Sequence, residues 1–118
     1  MTERQTAGST SLDQVFLALA DPTRRAIIDQ LVRRPTSVSA LAEPLGLSLP
    51  AIGHHLQTLQ RARLVHSAKV GRVRTVSINA RTVAAVERWI ASRRRHLERR
   101  ADRLQAFLTA RHQRGADR

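Results

Sequence analysis

Between residues 54 and 74 the chain gathers hydrogen-bonding and cationic side chains with no acid to offset them. His54, His55, Gln57 and Thr58 are followed by Arg61, Arg63, Lys69, Arg72 and Arg74, and no Asp or Glu occurs between residues 44 and 86. Imidazole and amide groups can bond base edges or phosphates, whereas closely spaced guanidinium groups neutralise phosphate oxygens without reading sequence. The charge of the whole chain points the same way. Its 21 bases against nine acids give +12, and residues 1–60 hold five of each, so the excess lies entirely in the second half. A polyanion is the partner such a surface fits, nucleic acid ahead of an anionic membrane.

Other chemistries are poorly supplied. The absence of cysteine removes disulfides, thiolate metal sites, thiol redox chemistry and a thiol nucleophile. No glycine-rich phosphate loop, paired carboxylates or Ser/His/Asp arrangement stands out beyond chance spacing, so neither an enzyme nor a bound cofactor is expected. His54 and His55 are neighbours on a helix and point about 100° apart, which is unsuited to sharing one metal ion. The only aromatic residues, Phe16, Trp89 and Phe107, fall on apolar stripes, leaving no stacking platform for single-stranded nucleic acid. The longest apolar run, Val15 to Ala20, is about a third of a membrane span, and Met1 to Ser11 is polar without an apolar signal core. A soluble cytoplasmic protein with no membrane partner is expected.

These side chains need elements to hold them, and the apolar spacing defines them. Leu12, Val15, Phe16 and Leu19 give a first helix, and Asp21-Pro22 starts a second with Ile27, Ile28 and Leu31 on its core face. A short third helix beginning near Ser37 or Ser39 carries Leu41, Ala42 and Leu45; Pro44 is expected to end it early and Gly46 to stop it. Ser48 caps a fourth helix with Pro50 in its first turn and Ile52, Leu56 and Leu59 inward. That arrangement places Ser48, Pro50, Ala51, His54, His55, Gln57 and Thr58 on the part of a recognition helix that meets base edges. After Leu64 the period becomes two, and Gly71 supplies the turn of a hairpin whose tip carries Lys69, Arg72 and Arg74. Arginine at such a tip also suits a narrow minor groove. The fold expected is mainly α with a small β-hairpin, a winged helix-turn-helix.

From Asn79 there is no Pro or Gly until Gly115, room for about 34 helical residues. Val83, Ile90, Leu97 and Leu104 recur every seven residues, thickened by Val86, Trp89, Phe107 and Leu108. A helix this long and one-sided needs a partner, and a homodimer joined by this stripe together with Leu12 and Phe16 of the first helix is expected. Arg93, Arg94, Arg95, Arg99, Arg100 and Arg103 on the same helix have Glu98 and Asp102 within one turn and read as a salt-bridged solvated face. Residues 1–10 read as a disordered arm, 11–80 as the DNA-binding domain, 81–112 as the dimerisation helix and 113–118 as a frayed tail.

Ala18-Leu-Ala-Asp-Pro-Thr-Arg-Arg25, Leu41-Ala-Glu-Pro-Leu-Gly-Leu-Ser-Leu-Pro-Ala-Ile52, His55-Leu56, Leu59, Leu64-Val65 and Gly71-Arg72 resemble the ArsR/SmtB-type bacterial winged-helix repressors over roughly residues 12–108. The resemblance implies a homodimeric, nucleoid-associated transcriptional regulator of double-stranded DNA that binds an imperfect palindrome, with the first and last helices as its interface. The chain departs from the family pattern in three places: Gly53 stands where Ser is usual, Arg63 where Gly is usual, and the segment Thr75 to Ser77 where aromatics occur late in the wing. The family's metal sites need cysteines in the third helix, or an Asp-x-His and a His pair on the last. Here the last helix has Glu87-Arg88-Trp89, and its two histidines, His96 and His112, are sixteen residues apart. No metal site is expected, and any small-molecule effector is undefined. The rival reading is an architectural nucleoid protein of weak sequence preference, which would need the arginines but no operator.

Overall fold

Three serines and an aspartate start the first four helices, each accepting a hydrogen bond from the backbone N–H three residues on. Ser11 accepts from Gln14 (3.4 Å) ahead of α1, Leu12–Leu19, and Asp21 from Arg24 (2.9 Å) ahead of α2, Pro22–Arg33. Ser37 accepts from Ala40 (3.2 Å) ahead of α3, Val38–Leu45, and Ser48 from Ala51 (3.3 Å) ahead of α4, Leu49–Arg61. Each satisfies an N–H that has no partner inside its own helix. The structure, a computed structural model, describes residues 11–116; the arm expected at 1–10 and the last two residues of the expected tail lie outside the described residues.

Pro44 does not end α3, which runs one residue further to Leu45. The proline falls in the last turn, and the helix closes around it: Gly46 adopts φ +64°, and Leu47 N–H returns to the Ala42 carbonyl at 3.2 Å. That left-handed residue with its back-bonded successor is the common helix stop, and three residues then separate α3 from α4. The helix-turn-helix therefore rests on Gly46, where any other residue meets the steric cost of positive φ.

The sheet has a strand that the sequence pattern did not reveal. Strand β2, Val65–Val70, and β3, Val73–Ile78, form the expected hairpin, while β1, Thr36–Ser37, pairs antiparallel with β3 to give the order β1-β3-β2. Gly71 has φ +64° and Arg72 does not have positive φ, the arrangement of a two-residue turn with glycine first. Register places Val65 opposite Ile78, Ser67 opposite Val76 and Lys69 opposite Arg74. Because facing partners share a side of the sheet, Lys69 and Arg74 continue the face on which Val65 and Val76 are buried.

Two units divide the chain, one ending at Ala84 and the other beginning at Ala85. The first has its core in Val15, Ile27, Leu31, Leu41, Ile52, Leu59 and Val76, all at most 3% exposed. The second is the remainder of α5, Ala80–Ala116. This helix outruns the end expected at residue 112 and passes through Gly115. A glycine stops a helix by turning left-handed, and Gly115 does not take positive φ.

The junction of α4, β2 and the first turn of α5 turns on one backbone position. Arg63 takes φ +62°, the only non-glycine residue to do so among the described residues. Its carbonyl accepts from Thr82 Oγ1 at 2.6 Å, and Thr82 is 1% exposed. Asn79 Oδ1 accepts from Arg81 N–H at 3.2 Å, so α5 also starts on a side-chain cap. Two stability results follow. Arg63→Gly removes left-handed strain and is expected to gain about 1 kcal/mol, raising the melting temperature by about 4–8 °C. Thr82→Val keeps the shape but leaves the carbonyl unpaired, at a cost of about 1–3 kcal/mol read from urea unfolding.

Candidate nucleic-acid interface

Helix α4 divides cleanly into two faces. Ile52, Leu56 and Leu59 are buried, whereas Ser48, Pro50, His54 and Gln57 are exposed and Ala51, His55 and Thr58 are half-buried. The three-to-four-residue spacing of the buried set forces this division, since a helix turns once every 3.6 residues. Ser48 is engaged as the helix cap, and Thr58 Oγ1 donates to the His54 carbonyl at 3.4 Å. His54 and Gln57 thus offer the freest polar side chains of the exposed face.

His55 is held from behind. Its Nδ1 lies 3.4 Å from Arg24 Nη1, so one ring nitrogen faces α2 rather than solvent. Arg24 itself donates from Nε to the Ala18 carbonyl (2.5 Å) and from Nη2 to that of Leu17 (3.5 Å), and Arg25 Nη1 donates to Leu19 (2.7 Å). The Asp21-Pro22-Thr23-Arg24-Arg25 segment is therefore a double cap: Asp21 closes the start of α2 while both arginines close the end of α1. The Arg24 backbone N–H is the main cause that holds the Asp21 carboxyl below its usual pKa, with the Arg24 and His55 charges adding to it against a desolvation penalty. Sequence reading missed Arg24 as the residue that seats the recognition helix. Its partners lie six to 31 residues away.

The cations follow this face along the chain. Arg61, Arg63, Lys69, Arg72 and Arg74 are all exposed, Arg72 in the hairpin turn itself. Arg74 has a structural attachment on the wing, donating from Nη1 to Ser67 Oγ at 3.0 Å. All five lie in the first unit with α4, and no carboxylate lies among them in sequence. Exposed cations of this density attract phosphate.

Helix α5 differs. Beyond Ser92 its described residues are all exposed, including Leu97, Leu104, Phe107 and Leu108; Trp89 and Ile90 are exposed too, while Val83 and Val86 are half-buried. On α1, Leu12 is half-buried and Phe16 is 42% exposed. Several arginines of α5 have partners on their own helix: Arg94 Nε is 3.8 Å from Glu98, Arg99 Nη2 is 3.0 Å from His96 Nδ1, and Arg93 sits 4.7 Å from the centre of the Trp89 ring. Among the described residues no three His, Asp or Glu side chains converge as a metal-ligand group. With no cysteine in the chain, the residues present do not fit the metal sites of the family that the sequence resembles. No helix among the described residues is long and apolar enough to cross a membrane.

A capped helix-turn-helix with an exposed polar recognition face and a basic three-stranded wing defines a winged-helix DNA-binding transcription regulator. Comparison with known proteins gives the family. Residues 19–68 match the helix-turn-helix domain family. The chain is 32% identical to the transcriptional repressor SdpR of Bacillus subtilis over 79 residues, which is 67% of this chain and 88% of that protein. An ArsR-like transcriptional regulator from Rhodococcus sp. RHA1 superimposes with a TM-score of 0.71 at 33% identity, covering 84% of this chain and 91% of that one. The homodimeric winged helix-turn-helix DNA-binding domain of Mb0332 from Mycobacterium bovis gives a TM-score of 0.58 at 27% identity, covering 79% and 94%. The chain belongs to the ArsR family of helix-turn-helix transcriptional regulators.

Proposed function

We propose that this regulator is a homodimeric repressor that reads an imperfect palindrome through α4 and grips the flanking phosphates with its wing. The observation that carries the reading is the exposed His54 and Gln57 face of α4, followed along the chain by five exposed cations with no acid between them in sequence. Gln57 and His54 supply donors and acceptors for base edges, and Ala51 and Thr58 supply methyl groups suited to thymine. Ser48, Pro50 and His55 shape the entry of the helix into the groove. Arg61, Arg63, Lys69, Arg72 and Arg74 fix register and affinity.

A second copy covers the apolar stripe of α5, Val83, Val86, Trp89, Ile90, Leu97, Leu104, Phe107 and Leu108, with Leu12 and Phe16 of α1. The homodimeric state of the Mb0332 domain supports this, and repression is supported by the likeness to SdpR. The protein acts in the bacterial cytoplasm, on the nucleoid. Selection of bound fragments from the source genome tests the whole reading. Two half-sites spaced by about 10 bp or a multiple of it are expected, whereas a footprint with no preferred site would establish the architectural nucleoid reading instead.

A further inference from the structure

A cavity of about 220 Å³ lies within the first unit, between α4 and the wing. Val38, Leu56, Val65 and Val76 give it an apolar lining, and Leu56, Val65 and Val76 are each at most 6% exposed. One side is polar: Ser67 Oγ accepts from Arg74 Nη1 at 3.0 Å and from Gln60 Nε2 at 3.4 Å. No acid lines it, and a guanidinium has further N–H donors beyond the one spent on Ser67.

Gly53 forms part of the wall, and nothing in the packing requires a glycine there. A Cβ built on it meets no atom within 4 Å, and its φ is not positive. The recognition helix thus carries a helix-interior glycine at a cost of about 1 kcal/mol relative to alanine, and what the glycine leaves is room. The volume equals that of about seven waters at ~30 Å³ each, enough for one small ring with a head group.

We infer that this cavity is an effector site for a small amphiphilic carboxylate, an aryl or compact acyl acid whose apolar body lies on Leu56, Val65 and Val76 and whose carboxylate meets Arg74. The walls explain how such a ligand would act. One wall is the helix that addresses the groove, and the other bears an arginine of the phosphate-binding wing. A carboxylate on Arg74 withdraws that cation from phosphate, and a body wedged beside Gly53 fixes the spacing of α4 from β2 and β3. Ligand and DNA then oppose each other reciprocally, each weakening the other by the same factor. This step rests on the DNA-binding reading, so the two are tested separately.

Amide chemical shifts of the full chain are followed without DNA as benzoate is added, with benzyl alcohol as the uncharged control. Saturable shifts at Gly53, Ser67, Arg74 and Val76 are expected, with benzoate favoured about tenfold by its charge-assisted bond. Arg74→Gln, an exposed position, should abolish that preference, and Gly53→Leu should remove binding of both probes. Silence of these amides, shifts unaltered by both variants, or equal binding of the two probes to the unaltered protein would overturn the site. In a parallel measurement of operator binding by fluorescence anisotropy, benzoate should weaken affinity about 5- to 150-fold. Saturable shifts without any operator binding would sink the DNA reading and leave the pocket standing; tight operator binding with silent amides would sink only the pocket.

Discussion

Raising salt from about 50 to 200 mM lowers operator affinity by about 10³- to 10⁵-fold if the dimer neutralises about 6 to 10 phosphates. The chain exposes Arg61, Arg63, Lys69, Arg72 and Arg74 in the same unit as α4, and the proposed dimer would present that set twice. The effect divides by residue. Arg72 occupies the hairpin turn and holds no part of the core, so Arg72→Ala should weaken binding to all sequences alike and reduce the salt slope by about one per wing. Arg74→Ala should do the same and also release Ser67. His54→Ala and Gln57→Ala should leave the slope intact and change which base is preferred, at about 1–3 kcal/mol per lost base contact. Titrations of specific and scrambled duplexes across the salt range separate these effects. A flat salt response would mean that the wing does not lie on phosphate.

Arg63 complicates the same series in an informative way. Its left-handed backbone makes glycine the relaxed choice, yet the chain keeps a cation there. Arg63→Gly should therefore raise the melting temperature while lowering affinity without changing preference. Stability and binding would move in opposite directions at one residue, which a merely structural role for Arg63 does not produce.

How far such roles were legible in the sequence depends on how local their causes are. Asp21, Ser37 and Ser48 announce helix starts because a cap acts over three residues, and Gly46 announces a stop because its left-handed backbone is a local requirement. Strand β1 was hidden because a two-residue strand is too short to show a period, and only pairing with Val76 and Thr75 defines it. Arg24 was visible as part of a motif but not as the anchor of His55, since that pairing spans 31 positions and three helices. Gly115 misled because glycine permits a stop without compelling one. The exposed face of α4 was legible from the buried spacing of Ile52, Leu56 and Leu59. The cavity beside it was not, because Gly53 is separated from Ser67 and Arg74 by the whole turn into the wing.

Placing two acids on the stripe of α5, as Ile90→Glu with Leu97→Glu, should give a monomer and cost operator affinity about 10³-fold or more, the lower end of the gap between specific and non-specific binding. Ile90, Leu97, Leu104, Phe107 and Leu108 are 48–63% exposed, so the substitutions remove no core of the first unit. What they remove is the reason for the helix to persist: a helix of such length in water depends on packing its apolar face. The variant should lose far-ultraviolet helical signal while the wing and α4 retain their amide shifts. Charge supplies a second, independent test. From Ala85 to Ala116 the helix carries nine arginines against three acids, so in the proposed dimer two copies brought together repel, and the apolar stripe must outweigh that repulsion. Added salt screens like charges as effectively as opposite ones. Dimerisation, followed by sedimentation, should tighten between about 50 and 500 mM salt, over which the Debye length falls severalfold, even as DNA binding collapses. A dimer that weakened with salt would instead be held by ion pairs, and a double variant that still sediments as a dimer would place the seam away from this stripe.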